Sequence, residues 1–186
     1  LPIEQARSLD DLLASAHSEV ERLFARLARH DYVVTLHDKN SVSLLVYSPE
    51  SHLEGKARKS RLLAGSMWNE ESQGTNGVGT CIKHAVPVVI LGDEHFNTFL
   101  TNMSCVVAPI LGGRDGLLGA LNVTTWREPS REASAIVQGI VGQSARLIEN
   151  LYFDRRHAGT RILRVSRQAD FADMSSEVRL ILDAND

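Results

Sequence analysis

From Leu9 onward the apolar residues Leu12, Leu13, Ala16, Val20, Leu23, Phe24 and Leu27 recur at intervals of three and four. That spacing puts them on one face of a 3.6-residue helix and predicts an amphipathic helix over residues 9–30. A second stripe follows Pro129 and Ser130, with Ala133, Ile136, Val137, Ile140, Val141, Leu147, Ile148 and Leu151, and predicts a helix over residues 130–156. Gly139 and Gly142 inside it each weaken a helix by roughly 1 kcal/mol relative to alanine, so a close approach to a neighbouring backbone is the reason we expect for them. The surplus of apolar stripe on both helices predicts a homodimer held mainly by them.

Between the helices the pattern changes. Residues 32–37, 42–47, 86–91, 104–111 and 117–125 are rich in β-branched and apolar side chains and read as strands. Gly112-Gly113-Arg114-Asp115-Gly116 joins the last two as a hairpin, and Lys39-Asn40 turns the first pair. Hairpin-linked strands with one helix before and one after predict an α+β fold, an antiparallel sheet with helices packed on it. Beyond Gly159 the chain reads as a linker with a short strand at 161–165, a polar stretch up to Ser176 and a strand-like run at 178–182. The expected division is an N-terminal helix at 1–31, a sensory domain with its C-terminal helix at 32–157, and a linker with the start of a further domain at 158–186. The start at Leu1 and the turn-like Asp183-Ala184-Asn185-Asp186 suggest a piece of a longer protein.

Composition narrows the function. Twenty basic and 23 acidic side chains give a formal net charge of -3, which argues against a phosphate-gripping surface and so against direct nucleic-acid binding by this segment. Neither a bilayer-spanning apolar run nor the layout of a signal peptide is present. The two cysteines, Cys81 and Cys105, lie among small or apolar neighbours, as reduced thiols of a cytoplasmic protein would.

Candidate chemistry concentrates between Trp68 and Ile110. Gly74, Gly77 and Gly79 permit tight turns or close approach, and Thr75 or Asn76 can cap a helix through residues 78–84, whose N-terminus would offer free amides to an anion or carbonyl. The same residues can equally be no more than a shaped loop. Neither a dinucleotide fingerprint nor a P-loop fits the spacing. Cys81 and Cys105 can pack as small core residues, form a redox pair, or join His84 and His95 at a metal, although no zinc-type spacing supports the last. His95 can face a ligand or a backbone carbonyl, and Trp68 can lid a pocket or fill core. Glu70, Glu71, Asp93 and Glu94 read as solvated, and no nucleophile, base and orienter set is apparent. No enzyme activity, cofactor or metal is expected.

Taken together, Trp68 and Glu70, Gly74-Thr75-Asn76, Gly79-Thr80, Pro87-Val88, Glu94-His95-Phe96, Cys105 and Ala108-Pro109-Ile110 resemble the GAF domain of acetoin-catabolism-type regulators over about residues 32–152. The resemblance implies a sensor that precedes an ATPase module acting on polymerase with the alternative, nitrogen-type sigma factor, and that leads into a PAS-like segment, here residues 177–186. It implies a small alcohol, ketone, diol or aromatic effector, bound among Trp68, Asn76, Cys81, His95, Phe96, Phe99 and Cys105. Three places depart from that family: Asp38-Lys39-Asn40-Ser41 stands for aspartate-x-x-glycine, Leu121-Asn122-Val123-Thr124 for a segment carrying an aspartate, and Val107 for an alanine. Two other functions on such a domain are a thiol-based reductase of free methionine sulfoxide and a ligand-free dimerisation scaffold.

Overall fold

A computed structural model describes residues 3–49, 55, 60–127, 129–166 and 178–182. Helix α1 (Ile3–Leu27) is followed by strands β1 (Tyr32–Asp38) and β2 (Ser43–Tyr47), the short helices α2 (Glu70–Gln73) and α3 (Gly77–His84), strands β3 (Val88–Leu91), β4 (Ser104–Leu111) and β5 (Leu117–Thr125), helix α4 (Arg131–Arg156) and strands β6 (Arg161–Val165) and β7 (Val178–Leu182). The first five strands form one antiparallel sheet in the order β2-β1-β5-β4-β3, and β6 pairs with β7. The fold is the α+β sheet with terminal helices. Strand β3 begins at Val88 rather than at Val86, because Pro87 has no N–H to give the ladder and Val86 turns outward to solvent.

Local chemistry explains the connections. Asp38 accepts hydrogen bonds from the backbone of Asn40 at 2.9 Å and Val42 at 2.8 Å, and Ser41 takes the left-handed φ of 66° that a glycine would adopt without strain. Ser130 caps α4 by accepting from Ala133 N, while Arg155 and Arg156 sit in its last turn, where the helix dipole favours cations.

The sheet has two covered faces of different character. Val34, Leu36, Val106, Ala108, Ile110, Leu121 and Val123 meet Leu12, Ala16, Val20 and Leu23 of α1 and Val137, Val141, Ala145 and Ile148 of α4 in one apolar core. Burying a single Leu or Ile there is worth about 1.5–3 kcal/mol. The two helices run antiparallel, tied where Arg155 Nε donates to Asp11 at 3.1 Å and where the Tyr152 hydroxyl lies 3.1 Å from Ser8 Oγ and donates to Asp115 at 2.8 Å.

Two expectations about the helices change. Among the described residues α1 has no exposed large apolar side chain, because its stripe is absorbed by the sheet and α4; the surplus lies on α4 alone, at Ile136 and Leu151 with half-buried Ile140 and Leu147. Gly139 and Gly142 point into open space, and among the described residues no backbone comes within 4 Å of where their Cβ atoms would stand. The polar stretch at 167–176 and half of the PAS-like stretch, Glu177 and residues 183–186, lie outside the described residues.

The tie through Tyr152 generates a test. Tyr152→Phe removes the link between α1, α4 and the β4–β5 hairpin without opening a cavity, and should lower unfolding free energy by about 1 kcal/mol in urea titration. Tyr152→Ala should cost about 3–5 kcal/mol, because it also empties the volume of a fully buried ring.

Candidate functional site

On the sheet face away from the two long helices, the alternation of the strands places Thr35, His37, Asn122 and Thr124 side by side, all buried. Buried polar groups are stable only when paired, and these pair with one another. Asn122 Nδ2 donates to Thr35 Oγ1 and to Thr124 Oγ1, both at 2.9 Å. Thr35 Oγ1 lies 2.8 Å from His37 Nε2, and the Cys105 thiol 3.3 Å from Thr124 Oγ1. Because Thr35 Oγ1 already accepts the amide, its hydroxyl proton is left for Nε2, which puts the imidazole proton on Nδ1, 3.2 Å from Ser43 Oγ. Burial pushes the His37 pKa down to about 3, so the ring is neutral.

A second layer closes over this strip. Asn76 caps α3: its Oδ1 accepts from Gly79 N, and its Nδ2 donates to the carbonyls of Trp68 and Gly74, each at 2.9 Å. Gly77 and Gly79 allow the close fit. A Cβ on Gly77 would stand 2.7 Å from Cys105 Cβ, and one on Gly79 2.7 Å from the Trp68 carbonyl oxygen. Glu70 on α2 clamps α3 from outside by accepting from Thr80 Oγ1 and Lys83 Nζ, which hold its carboxyl below the usual range.

Between the layers lies a cavity of about 10 Å³, lined by Trp68, Asn76, His95, Cys105, Asn122 and Thr124 together with Leu62, Gly77, Val78, Leu100 and Met103. No charged side chain lines it, and its volume is at most that of one water. His95 Nδ1 faces the Gly92 carbonyl at 3.0 Å, and burial lowers its pKa despite that bond, leaving neutral Nε2 as an acceptor. Trp68 Nε1 is buried with no partner among the described residues.

The structure therefore gathers Trp68, Asn76, His95 and Cys105 around one cavity. It does not bring in the other three candidates. Phe96 is 77% exposed and covers Gly74 from outside, Phe99 lies beneath the Arg61 guanidinium 5.9 Å away, and Cys81 is sealed behind the cavity among Cys105, Val107 and Ala120. Asn76, of the four that gather, spends both amide hydrogens and its oxygen on backbone. Burial pushes the Cys81 thiol up to about 12 and Cys105 to about 11. Among the described residues no group of three or more His, Cys, Asp or Glu side chains is placed to hold a metal, and no helix is long and apolar enough to cross a membrane. Sequence reasoning missed Thr35 and His37; their signal is two polar residues, two apart and so on one strand face, in the otherwise apolar stretch Val33-Val34-Thr35-Leu36-His37.

A family model described as the GAF domain matches residues 11–148. The chain is 28% identical over 184 residues, 97% of its length and 27% of the relative's, to an acetoin catabolism regulatory protein of Cupriavidus necator. It is 26% identical over 121 residues, 65% of its length and 20% of the relative's, to the acetoin dehydrogenase operon transcriptional activator AcoR of Bacillus subtilis. The chain thus spans about a quarter of the length of such relatives. The solved E. coli DhaR(N)-DhaL complex contains the same fold, with a TM-score of 0.69 and 18% identity over 84% of this chain and 53% of that one.

The neutral, buried His37 makes stability depend on pH. Its folded pKa lies below the unfolded value of 6.5, so on acidification the unfolded chain takes up a proton that the native state refuses. Its contribution is complete above pH 6.5 and falls by about 1.4 kcal/mol per pH unit between pH 6.5 and about 3. Urea titrations from pH 7 to 4 should show a fall in stability that is steeper in the parent chain than in His37→Gln, with His95 contributing to both; equal slopes would contradict the assignment.

Proposed function

We propose, from the premise that this chain belongs to the GAF domain family, that it is the sensory part of a bacterial transcription activator and works by binding a small molecule rather than by catalysis. The observation that carries this reading is the uncharged polar pair Asn122 and Thr124, backed by Thr35 and facing Trp68 and His95 across the small cavity. A face needed only for packing would be filled with apolar side chains, at no cost in polar desolvation. The spare Trp68 Nε1–H donor and the His95 Nε2 acceptor suit a hydroxyl or carbonyl, and the lack of lining charge selects an uncharged effector: a small alcohol, ketone, diol or aromatic compound. Entry requires Leu100 and Met103, which close the cavity, to move aside.

Binding there shifts α3 against β4 and, through the sheet, the terminal helices. In the whole protein that shift controls a downstream ATPase. Residues 32–157 are the sensory domain, preceded by the helix at 1–31, and residues 158–186 are a linker and the start of a PAS-like domain. The thiols support binding over reductase chemistry, because groups with pKa values of about 12 and 11 stay protonated and weakly nucleophilic at neutral pH. The cavity volume of about 10 Å³ favours a second reading, a dimerisation scaffold whose pocket stays closed.

Thermal-shift screening against uncharged alcohols, ketones, diols and aromatic compounds separates the two. An effector at a hundred times its dissociation constant should add about 2.7 kcal/mol. Asn122→Leu and His95→Ala should each weaken it about tenfold or more, whereas Phe96→Ala, outside the cavity, should not. A screen without any stabilising compound supports the scaffold.

The exposed Ile136 and Leu151 of α4, with half-buried Leu147 and the outer edge of Ile140, support a homodimer, with Gly139 and Gly142 letting the two copies of α4 cross closely. Sedimentation at micromolar concentration should show a dimer, and Ile136→Glu should split it without changing the circular dichroism, since Ile136 is 66% exposed within one chain. A parent chain that is monomeric at every concentration refutes this arrangement.

A further inference from the structure

The chain that leaves α4 turns back onto it. Residues 157–160 lead from the helix into β6, and β7 pairs with β6 in a register that sets Arg164 directly opposite Arg179. Side chains alternate along a strand, so Leu163, Val165, Val178 and Leu180 fall on the other face, each 44–48% exposed. By itself this pair of strands is weakly founded. A lone two-stranded sheet is marginal in water, residues 166–177 are too many for a tight turn to fix the register, and like charges directly opposite one another destabilise a ladder. The pairing depends on a contact outside the two strands.

That contact is on α4. The Asp154 carboxylate pairs with both arginines, through Oδ1 with Arg179 of β7 and through Oδ2 with Arg164 of β6 at 3.2 Å. One anion thus lies between two guanidinium groups that would otherwise repel. Arg179 also donates to the Asn150 carbonyl at 3.2 Å, and its side chain is 6% exposed, so the cation is costly to leave without Asp154. Asn150 and Asp154 stand one turn apart, on the side of α4 turned away from Val141, Ile148 and Tyr152 of the core. The docking is therefore separate from the packing of α4 on the sheet.

We propose that Asp154 locks β6–β7 onto α4: the two strands stay paired only while docked, and docked they move with the helix as one body. The stretch after α4 then carries the movement of the helix onward instead of absorbing it as a slack linker. The lock itself needs no effector; that it carries a signal rests on the sensor reading above.

Amide hydrogen exchange of the full chain, without any ligand, tests the lock. In the parent chain Arg161–Val165 and Val178–Leu182 should be protected. Asp154→Asn should speed their exchange about tenfold or more while β1 and β5 keep theirs. The helix itself should not suffer, since a neutral side chain near a helix C-terminus suits the dipole better than a carboxylate. Adding Arg179→Gln to Asp154→Asn should recover part of the protection, because it removes both the opposed charge and the buried cation that Asp154 neutralises. No protection in the parent, unchanged exchange in Asp154→Asn, equal acceleration in β1 and β5, or no recovery in the double variant would each overturn the proposal. None of these outcomes involves the effector, so the lock and the sensor reading, which the thermal-shift screen judges, fail separately.

Discussion

The Asn122 carboxamide sits at 1% exposure in the middle of the central strand, out of reach of bulk solvent. Its two N–H groups must find acceptors, and they find Thr35 on one neighbouring strand and Thr124 on its own. Thr35 then has a proton to give, which His37 takes, and Thr124 has an oxygen that meets the Cys105 thiol on the other neighbour. One amide thereby ties β1, β5 and β4 across a face that β-sheets more often fill with hydrocarbon, and it aligns the three strands in a register that a one-residue slip would destroy. An uncharged amide lets the strip close without a counter-ion.

Everything above that strip is placed by how closely α3 can lie on the sheet. Gly77 lets the helix backbone rest on β4, and Gly79 lets Asn76 fold back onto the Trp68 carbonyl. The glycine-rich stretch is thus a contact surface, and of the amides that sequence alone offered to an anion, that of Gly79 is taken by Asn76 Oδ1. Trp68 belongs to both readings held open for it, since it packs with Val33, Val78 and Leu100 and also lines the cavity.

Much of this was legible in advance, and the limits have physical causes. Helical and strand periodicity located the two long helices and five strands, because a half-buried element must repeat its apolar positions. Pro129 and Ser130 marked where α4 begins. Which side of a strand or helix meets which partner depends on long-range packing that periodicity does not carry. Phe96 and Phe99 therefore read as pocket walls although they face outward, while Leu62, Leu100 and Met103, from irregular segments, close the cavity instead. For the same reason Gly139 and Gly142 looked like an internal crossing and are found on the open side of α4.

The two long helices and the two strands joined to them form a closed loop of stiff parts. At one end side chains hold α1 to α4, Asp11 to Arg155 and Ser8 to Tyr152. At the other, α1 runs into β1 and β5 into α4, and those strands pair from Tyr32 with Thr125 onward, fastened again by Arg127 on Asp31. A linkage fastened at both ends cannot open like tweezers; the motion left to it is shear, one bar gliding along the other. If α4 carries the output of the sensor proposed above, the movement it passes onward is axial, a push or a pull along its own 26 residues, about 39 Å of rod.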